Sequence, residues 1–251
     1  MHSENEPPLL SATGVVKTYR SGHLEVPALR GVDLRIGAGE LVMVMGPSGN
    51  GKTTLLNCLS GLDEIDGGTV HVGGRDLFAM SDADRTRHRA TTMGFVFQAF
   101  NLIPVLSAVE NVELPLLVTG VAPKVARERA RDLLARVGLA DRAGHRPGEL
   151  SGGEQQRVTV ARALVAEPAI VWADEPTGAL DSRTAGEIVE LLHEVHAGGQ
   201  TLVVVTHDDQ LGRSGQRLVQ VRDGRVVHDG PPHTAPDARA LEAAASVEAV
   251  R

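Results

Sequence analysis

Chemical capacity is concentrated in one short string. Gly46-Pro47-Ser48-Gly49-Asn50-Gly51-Lys52-Thr53 has the spacing G-x-x-x-x-G-K-[ST]. Glycines let the backbone turn so that successive N–H groups converge on phosphate oxygens. A helix opening near Gly51 adds the positive end of its dipole. Lys52 supplies a point charge for β- and γ-phosphates, and Thr53, with Thr54 beside it, offers a hydroxyl to Mg2+. At Asn50 the backbone N–H is expected to matter more than the side chain. The competing reading is a glycine-rich turn with an incidental lysine. The strand before the string and the helix after it argue against that.

A second pair of groups, Asp174 and Glu175, ends the apolar run Ala169-Ile170-Val171-Trp172-Ala173. A carboxylate at the end of a buried strand beside the cradle suits a magnesium-bound water, and Asp174 fits that role. Glu175 is then placed to accept a proton from an attacking water, or to orient it. Trp172 is expected in the core, without a chemical role. Phosphate chemistry alone leaves kinases, switches and motors open. A third string, Leu150-Ser151-Gly152-Gly153-Glu154-Gln155-Gln156-Arg157, reads as a second anion site. Ser151 would cap a helix whose first N–H groups, at Gly152 and Gly153, can receive phosphate. A capped helix start explains Ser151 but not the two glycines, which cost helix stability and serve close backbone approach.

These groups need elements to hold them. Leu9 to Val16, Ala28 to Ile36 and Thr69 to Val72 read as strands. So do Leu41 to Met45, Met93 to Phe97, Ala169 to Ala173 and Thr201 to Val205. Helices are expected from Thr53 to Leu62, after the N-cap candidate Ser81, from Pro123 through Val137, from Gly153 to Ala166 and from Ser182 to His196. Asp141 to Glu149, with two glycines and a proline, reads as a loop. Asp223-Gly224 between two strand-like runs is a hairpin signal. Strand, helix, strand in the last third indicates a parallel sheet with helices on its faces, so the fold class is α/β. From Pro231 onward the chain is expected to be a frayed or weakly helical tail.

Composition narrows the partners. The chain has 251 residues, with 25 Lys+Arg against 32 Asp+Glu and a formal net charge of −7. That balance and only six aromatic residues, four Phe, one Tyr and one Trp, argue against nucleic acid as a partner. The single Cys58 rules out a disulfide framework and a multi-thiolate zinc site. No apolar run approaches the roughly 18 residues of a membrane span. The polar, acidic start Met1 to Pro8 does not read as a signal peptide.

Leu150 to Arg157 closely resembles the signature motif of ATP-binding-cassette ATPases, and other elements of that family follow in order. Tyr19 resembles the aromatic that stacks on adenine, and Gln98 the glutamine of the Q-loop, which also belongs to the metal set with Thr53 and Asp174. Gly178-Ala179-Leu180-Asp181 resembles the D-loop, and His207 the switch histidine that reaches the γ-phosphate. The resemblance thus implies a catalytic set of Glu175, His207 and Gln98, with ATP and Mg2+ as cofactors. It implies a single domain over residues 1–230 and a tail over 231–251. Residues 1–97 and 167–230 would form a RecA-like P-loop NTPase core with an antiparallel β subdomain, and 98–166 an inserted α-helical subdomain. It also implies that Ser151 serves the ATP of a second copy, in a head-to-tail homodimer with ATP sandwiched between.

Gly94-Phe95-Val96-Phe97-Gln98, Asn101-Leu102-Ile103-Pro104, Glu110-Asn111-Val112 and Glu154-Gln155-Gln156 are similar to the lipoprotein-release and macrolide-efflux group. The expected function is therefore an ATPase at the cytoplasmic face of the membrane that drives a separate integral-membrane permease. The segment after Gln98, including Phe100, Asn101 and Leu102, would touch that partner. The alternative is a cell-division type cassette that regulates a transmembrane partner without transport. A DNA-repair or translation cassette would bring coiled coils, zinc cysteines or a second cradle. A small-molecule phosphotransferase would not need the Leu150 to Arg157 string.

Overall fold

Which face of each strand is buried decides how the elements assemble. The computed structural model describes residues 7–22 and 24–236. Its strands in chain order are β1 (Leu10–Ser21), β2 (Leu24–Ile36), β3 (Leu41–Met45), β4 (Gly67–Val72), β5 (Arg75–Asp76), β6 (Met93–Phe97), β7 (Ile170–Asp174), β8 (Thr201–Val205), β9 (Arg217–Arg222) and β10 (Arg225–Gly230). The helices are α1 (Lys52–Leu59), α2 (Asp82–Thr92), α3 (Ala108–Val118), α4 (Pro123–Arg136), α5 (Gly152–Leu164), α6 (Ser182–Ala197) and α7 (Asp209–Arg213).

The strands form two sheets. A four-stranded antiparallel sheet has the order β2-β1-β4-β5, and a six-stranded sheet the order β10-β9-β3-β8-β7-β6. In the larger sheet every neighbouring pair is parallel except β10 with β9. The central strands are apolar on both faces, as parallel strands covered on both sides must be. Val42 and Val44 of β3, with Ile170 and Trp172 of β7, face α1 and the antiparallel sheet. Leu41, Met43 and Met45, with Val171 and Ala173, face the other way, in one core with α3, α4 and α5. Trp172 is fully buried, as expected of a core residue.

The structure departs from the sequence expectation at several boundaries. Helix α3 was not expected. Its apolar stripe is obscured because Asn111 and Glu113 are buried beside Val112 and Leu116. Arg127 of α4 pairs with Glu113 (2.7 Å), and a capping box of Ser107 and Glu110 starts the helix. Strands β1 and β2 run further than Val16 and Ala28 because their exposed ends pair with each other, Ser21 opposite Leu24. Helix α1 begins at Lys52 and stops at Leu59, short of Leu62. Asp141 to Glu149, read as a loop, includes the end of one short 3-10 turn (Ala140–Arg142) and the whole of another (Pro147–Glu149). The tail expected from Pro231 begins with a 3-10 turn at Pro232–Thr234; its part from 237 to 251 lies outside the described residues.

Register matters most for the site. Phe97, Asp174 and Val205 lie abreast on β6, β7 and β8. The residues that follow them therefore emerge at the carboxyl edge of the sheet, beside the loop that leaves β3. This is the edge where open α/β sheets bind ligands.

Candidate phosphate-binding site

The cradle is the loop between β3 and α1, and at two of its glycines there is no room for a side chain. A β-carbon on Gly46 would stand 2.0 Å from the Val221 carbonyl oxygen, and one on Gly51 2.5 Å from that of Ala28. Gly51 is the N-cap of α1, in the left-handed conformation and with no side chain to cap the helix. Lys52 is buried and donates to the carbonyls of Gly46 (2.7 Å) and Pro47 (3.1 Å). An ammonium has three donors, so one remains for a ligand. Burial lowers the Lys52 ammonium below its ordinary value, against the opposing charges of Glu175 and Asp174.

Across the loop, the Thr53 hydroxyl donates to Asp174 Oδ1 (3.3 Å). Burial raises the Asp174 carboxyl above the ordinary range; the Thr53 hydrogen bond and Lys52 oppose this, while the Glu175 charge adds to it. Among the described residues no group of three or more His, Cys, Asp or Glu is arranged to hold a metal ion. A hydroxyl and a carboxylate are hard oxygen donors, which suits magnesium held by few protein ligands together with phosphate.

Glu175 follows with φ of 47°, a left-handed backbone that costs a non-glycine residue roughly 1–3 kcal/mol. Its N–H donates to the Val205 carbonyl (2.9 Å), anchoring it to β8. The carboxylate is held on both oxygens by one residue: His207 Nδ1–H donates to Oε1 (2.8 Å) and His207 N–H to Oε2 (3.3 Å). A cavity of about 470 Å³ opens here, lined by Glu175, Thr177, Gly178, Leu180, His207 and Asp208 among others. A larger cleft of about 630 Å³ lies at the opposite edge of the sheet, by Gly39, Ala169 and Gln200, and holds none of the candidate groups. Gln98 sits beside the same segment. A β-carbon on Gly178 would be 2.8 Å from its Nε2, so the glycine makes room for the glutamine.

The remaining predicted residues form two further groups. Ser151 is the N-cap of α5, and Glu154 reaches back to its N–H (2.8 Å) and hydroxyl (2.9 Å). That leaves the amides of Gly152 and Gly153 without an acceptor among the described residues. Gly153 has a reason within the chain: a β-carbon there would stand 2.3 Å from Thr184 Cγ2 on α6. Asp181 caps α6 and accepts from Arg183 N–H, Thr184 N–H and the Thr184 hydroxyl (2.7 Å), which holds its carboxyl below the usual range. No hydrogen bond or ion pair among the described residues joins Ser151 or Asp181 to Lys52 or Thr53. Tyr19 is 42% exposed on β1. Its hydroxyl donates to Asp63 (2.7 Å), which also pairs with Lys17 (2.7 Å).

Sequence reading named Gln156 only as part of the Ser151 string and missed its role: buried in α5, its Nε2 donates to the Pro176 carbonyl (2.6 Å) and ties that helix to the Glu175 turn. It missed Asp208, which caps α7 beside the cavity; an Asp just before a helix start was the available signal. At Asn50 the structure adds a side-chain contact. Its side-chain Oδ1 accepts from the Asp223 N–H (2.8 Å), so the side chain as well as the backbone is engaged.

Comparison with known proteins places this geometry. The macrolide export ATP-binding/permease protein MacB of Burkholderia cenocepacia is 46% identical over 224 residues, covering 89% of this chain and 33% of the relative. A MacB 1/2 of Paracoccus denitrificans is 45% identical over 227 residues, covering 90% of this chain and 34% of the relative. The chain thus spans about a third of the length of these curated relatives. Among solved structures, a dimeric post-hydrolysis state of the ATP-binding cassette MJ0796 bound to ADP and Pi is 42% identical, with a TM-score of 0.82. The match covers 89% of this chain and 98% of that one. A family model described as ABC transporter matches residues 29–178, and with these likenesses the chain belongs to the ABC transporter family.

Proposed function

We propose that this chain binds ATP with magnesium in the cradle, hydrolyses it as one half of a pair of cassettes, and thereby powers a membrane permease of the efflux type. The observation that carries the reading is the convergence of Lys52, Thr53, Asp174, Glu175 and His207 on one sheet edge. Thr53 and Asp174, with Gln98, would hold magnesium, which when bound offsets phosphate charge and aligns the phosphate oxygens. Lys52 gives its remaining donor to phosphate. Glu175 takes the proton of the attacking water at its carboxylate, and His207 keeps that carboxylate aimed. Tyr19 supplies an aromatic face for adenine.

Pairing is supported by the division of the groups. The amides of Gly152 and Gly153 offer an anion site apart from the cradle, and they would complete the phosphate site of a second copy. The MJ0796 cassette is described as dimeric. The relatives named MacB combine ATP-binding and permease in one protein name, which supports a permease partner and export. No helix among the described residues is long and apolar enough to cross a membrane. We place the chain at the cytoplasmic face, with the segment after Gln98 as the permease contact. Asn101 lines a groove of about 360 Å³ with Phe95, Phe97, Pro115 and Arg162. We also take 98–166 as the helical subdomain and the rest of 1–230 as the core.

A hydrolysis assay tests the reading. The native chain should bind and turn over Mg·ATP. Glu175→Gln should lose turnover by about 100-fold or more while retaining nucleotide, so that ATP-bound pairs accumulate. Retained turnover would remove Glu175 as the base, and a native chain that binds no ATP would overturn the reading.

A further inference from the structure

Convergent N–H dipoles repel one another until an anion arrives, so a phosphate cradle must be held in shape by something else. In this chain the holding element is the β9–β10 hairpin. Gly46 is pressed against the Val221 carbonyl at one end of the loop. At the other end Asn50 Oδ1 accepts from Asp223 N–H (2.8 Å), and the Asn50 carbonyl accepts from Gly224 N–H (3.3 Å). The same side chain turns back on its own loop, with Nδ2 donating to the Ser48 carbonyl (3.2 Å). Both contacts are satisfied with the side-chain oxygen toward the hairpin and the nitrogen toward the loop.

The hairpin is itself fastened. Asp223 and Gly224 both have positive φ (47° and 73°), the type I′ turn that suits two antiparallel strands. The Gly224 carbonyl accepts from Arg30 N–H of β2 (2.8 Å). Arg217, at the base of the hairpin, pairs with Asp229 (2.6 Å) and with Glu40 (2.9 Å), the residue that precedes β3. The loop that follows β3 and the residue that leads into it are thus tied to one hairpin. We infer that Asn50 is a positioning residue: its side chain latches the cradle to the β9–β10 turn and presets the loop for phosphate before nucleotide arrives. The inference rests on the cradle being the ATP site.

The test compares the native chain with Asn50→Ala. Hydrogen exchange should show the Asp223 amide protected in the native chain and unprotected in the variant, with β9 amides such as Val219 unchanged. Binding of both ATP and ADP should weaken about three- to tenfold, the equivalent of one lost hydrogen bond. The kcat at saturating ATP should stay within about twofold, so the loss falls on KM. A native Asp223 amide without protection would overturn the latch. So would a variant that loses this protection, or melts at a lower temperature, yet binds both nucleotides as tightly as the native chain. If the native chain bound no ATP while the Asp223 amide was protected, the proposed function would fail and the positioning role with it, although the contact itself would stand.

Discussion

At Ser151 a carboxylate does what an approaching phosphate would do. Glu154 accepts from the Ser151 N–H and hydroxyl, and Arg142 pairs with it (3.1 Å). The backbone hydrogen bond first, then the hydroxyl and Arg142, hold the Glu154 carboxyl below the ordinary glutamate range. A depressed carboxyl contributes stability above its unfolded value and loses it as pH falls through the native one. Glu154→Gln keeps an oxygen for Ser151 but removes the charge. The variant should melt below the native chain at neutral pH, and the gap should close as the pH falls from neutral through the acid range where glutamate titrates, about 4.3 in an unfolded chain. Melting temperatures across that range check this; a constant gap would remove the charge as the cause. With Ser151's own N–H taken by Glu154, a second phosphate site here would depend on the Gly152 and Gly153 amides.

At the scale of elements, the double glycine of α5 has a mechanical reading. The helix lies against α6 so closely that Gly153 faces the Thr184 methyl, whose rotamer is fixed by the Thr184–Asp181 hydrogen bond. Gly153→Ala should destabilise the fold by about 1–3 kcal/mol through overpacking, despite alanine's better helix propensity. Adding Thr184→Ser removes the methyl, keeps the hydroxyl, and should recover most of the loss. Urea denaturation of the two variants checks the coupling; additive effects would show that the helices are not in contact there. Gln156 adds a second tie from α5 to the Glu175 turn. Arg162 on α5 adds a third, donating to the carbonyls of Phe100 (2.9 Å) and Asn101 (2.6 Å), two consecutive left-handed residues after Gln98. One helix therefore touches the Glu175 turn and the segment proposed to meet the permease, and its own start carries the Ser151 cap.

For the whole molecule, the cradle and the Ser151 helix start are separate groups on one chain, and pairing is what would unite them. Mixing Lys52→Ala chains with Ser151→Ala chains should restore one composite site in the mixed pair. Hydrolysis should return to about half of the native level or less, where each variant alone is inactive. Absence of recovery with mixed pairs confirmed by mass would count against shared sites. Pairing on ATP would be a population shift, driven by contacts the nucleotide makes only in the closed state.

Much of the site was legible because it is contiguous. The cradle, the Asp174-Glu175 pair, the Ser151 cap and the Asp223-Gly224 turn each lie within a few residues, where spacing and backbone propensity decide conformation. The carboxyl edge was legible too, since continuous apolar runs mark strands buried on both faces. Other features depended on neighbours distant in the chain. Asn50 meets Asp223 across 173 residues only because β9 lies beside β3. Gln98 meets Gly178 because β6 and β7 are adjacent. Helix α3 hid its character because Glu113 is buried only by virtue of Arg127 on another helix. Local sequence thus picked out the candidate groups for phosphate and proton chemistry. Tertiary structure alone decided what holds them in place, because sheet order and helix contact bring together residues that no local pattern relates.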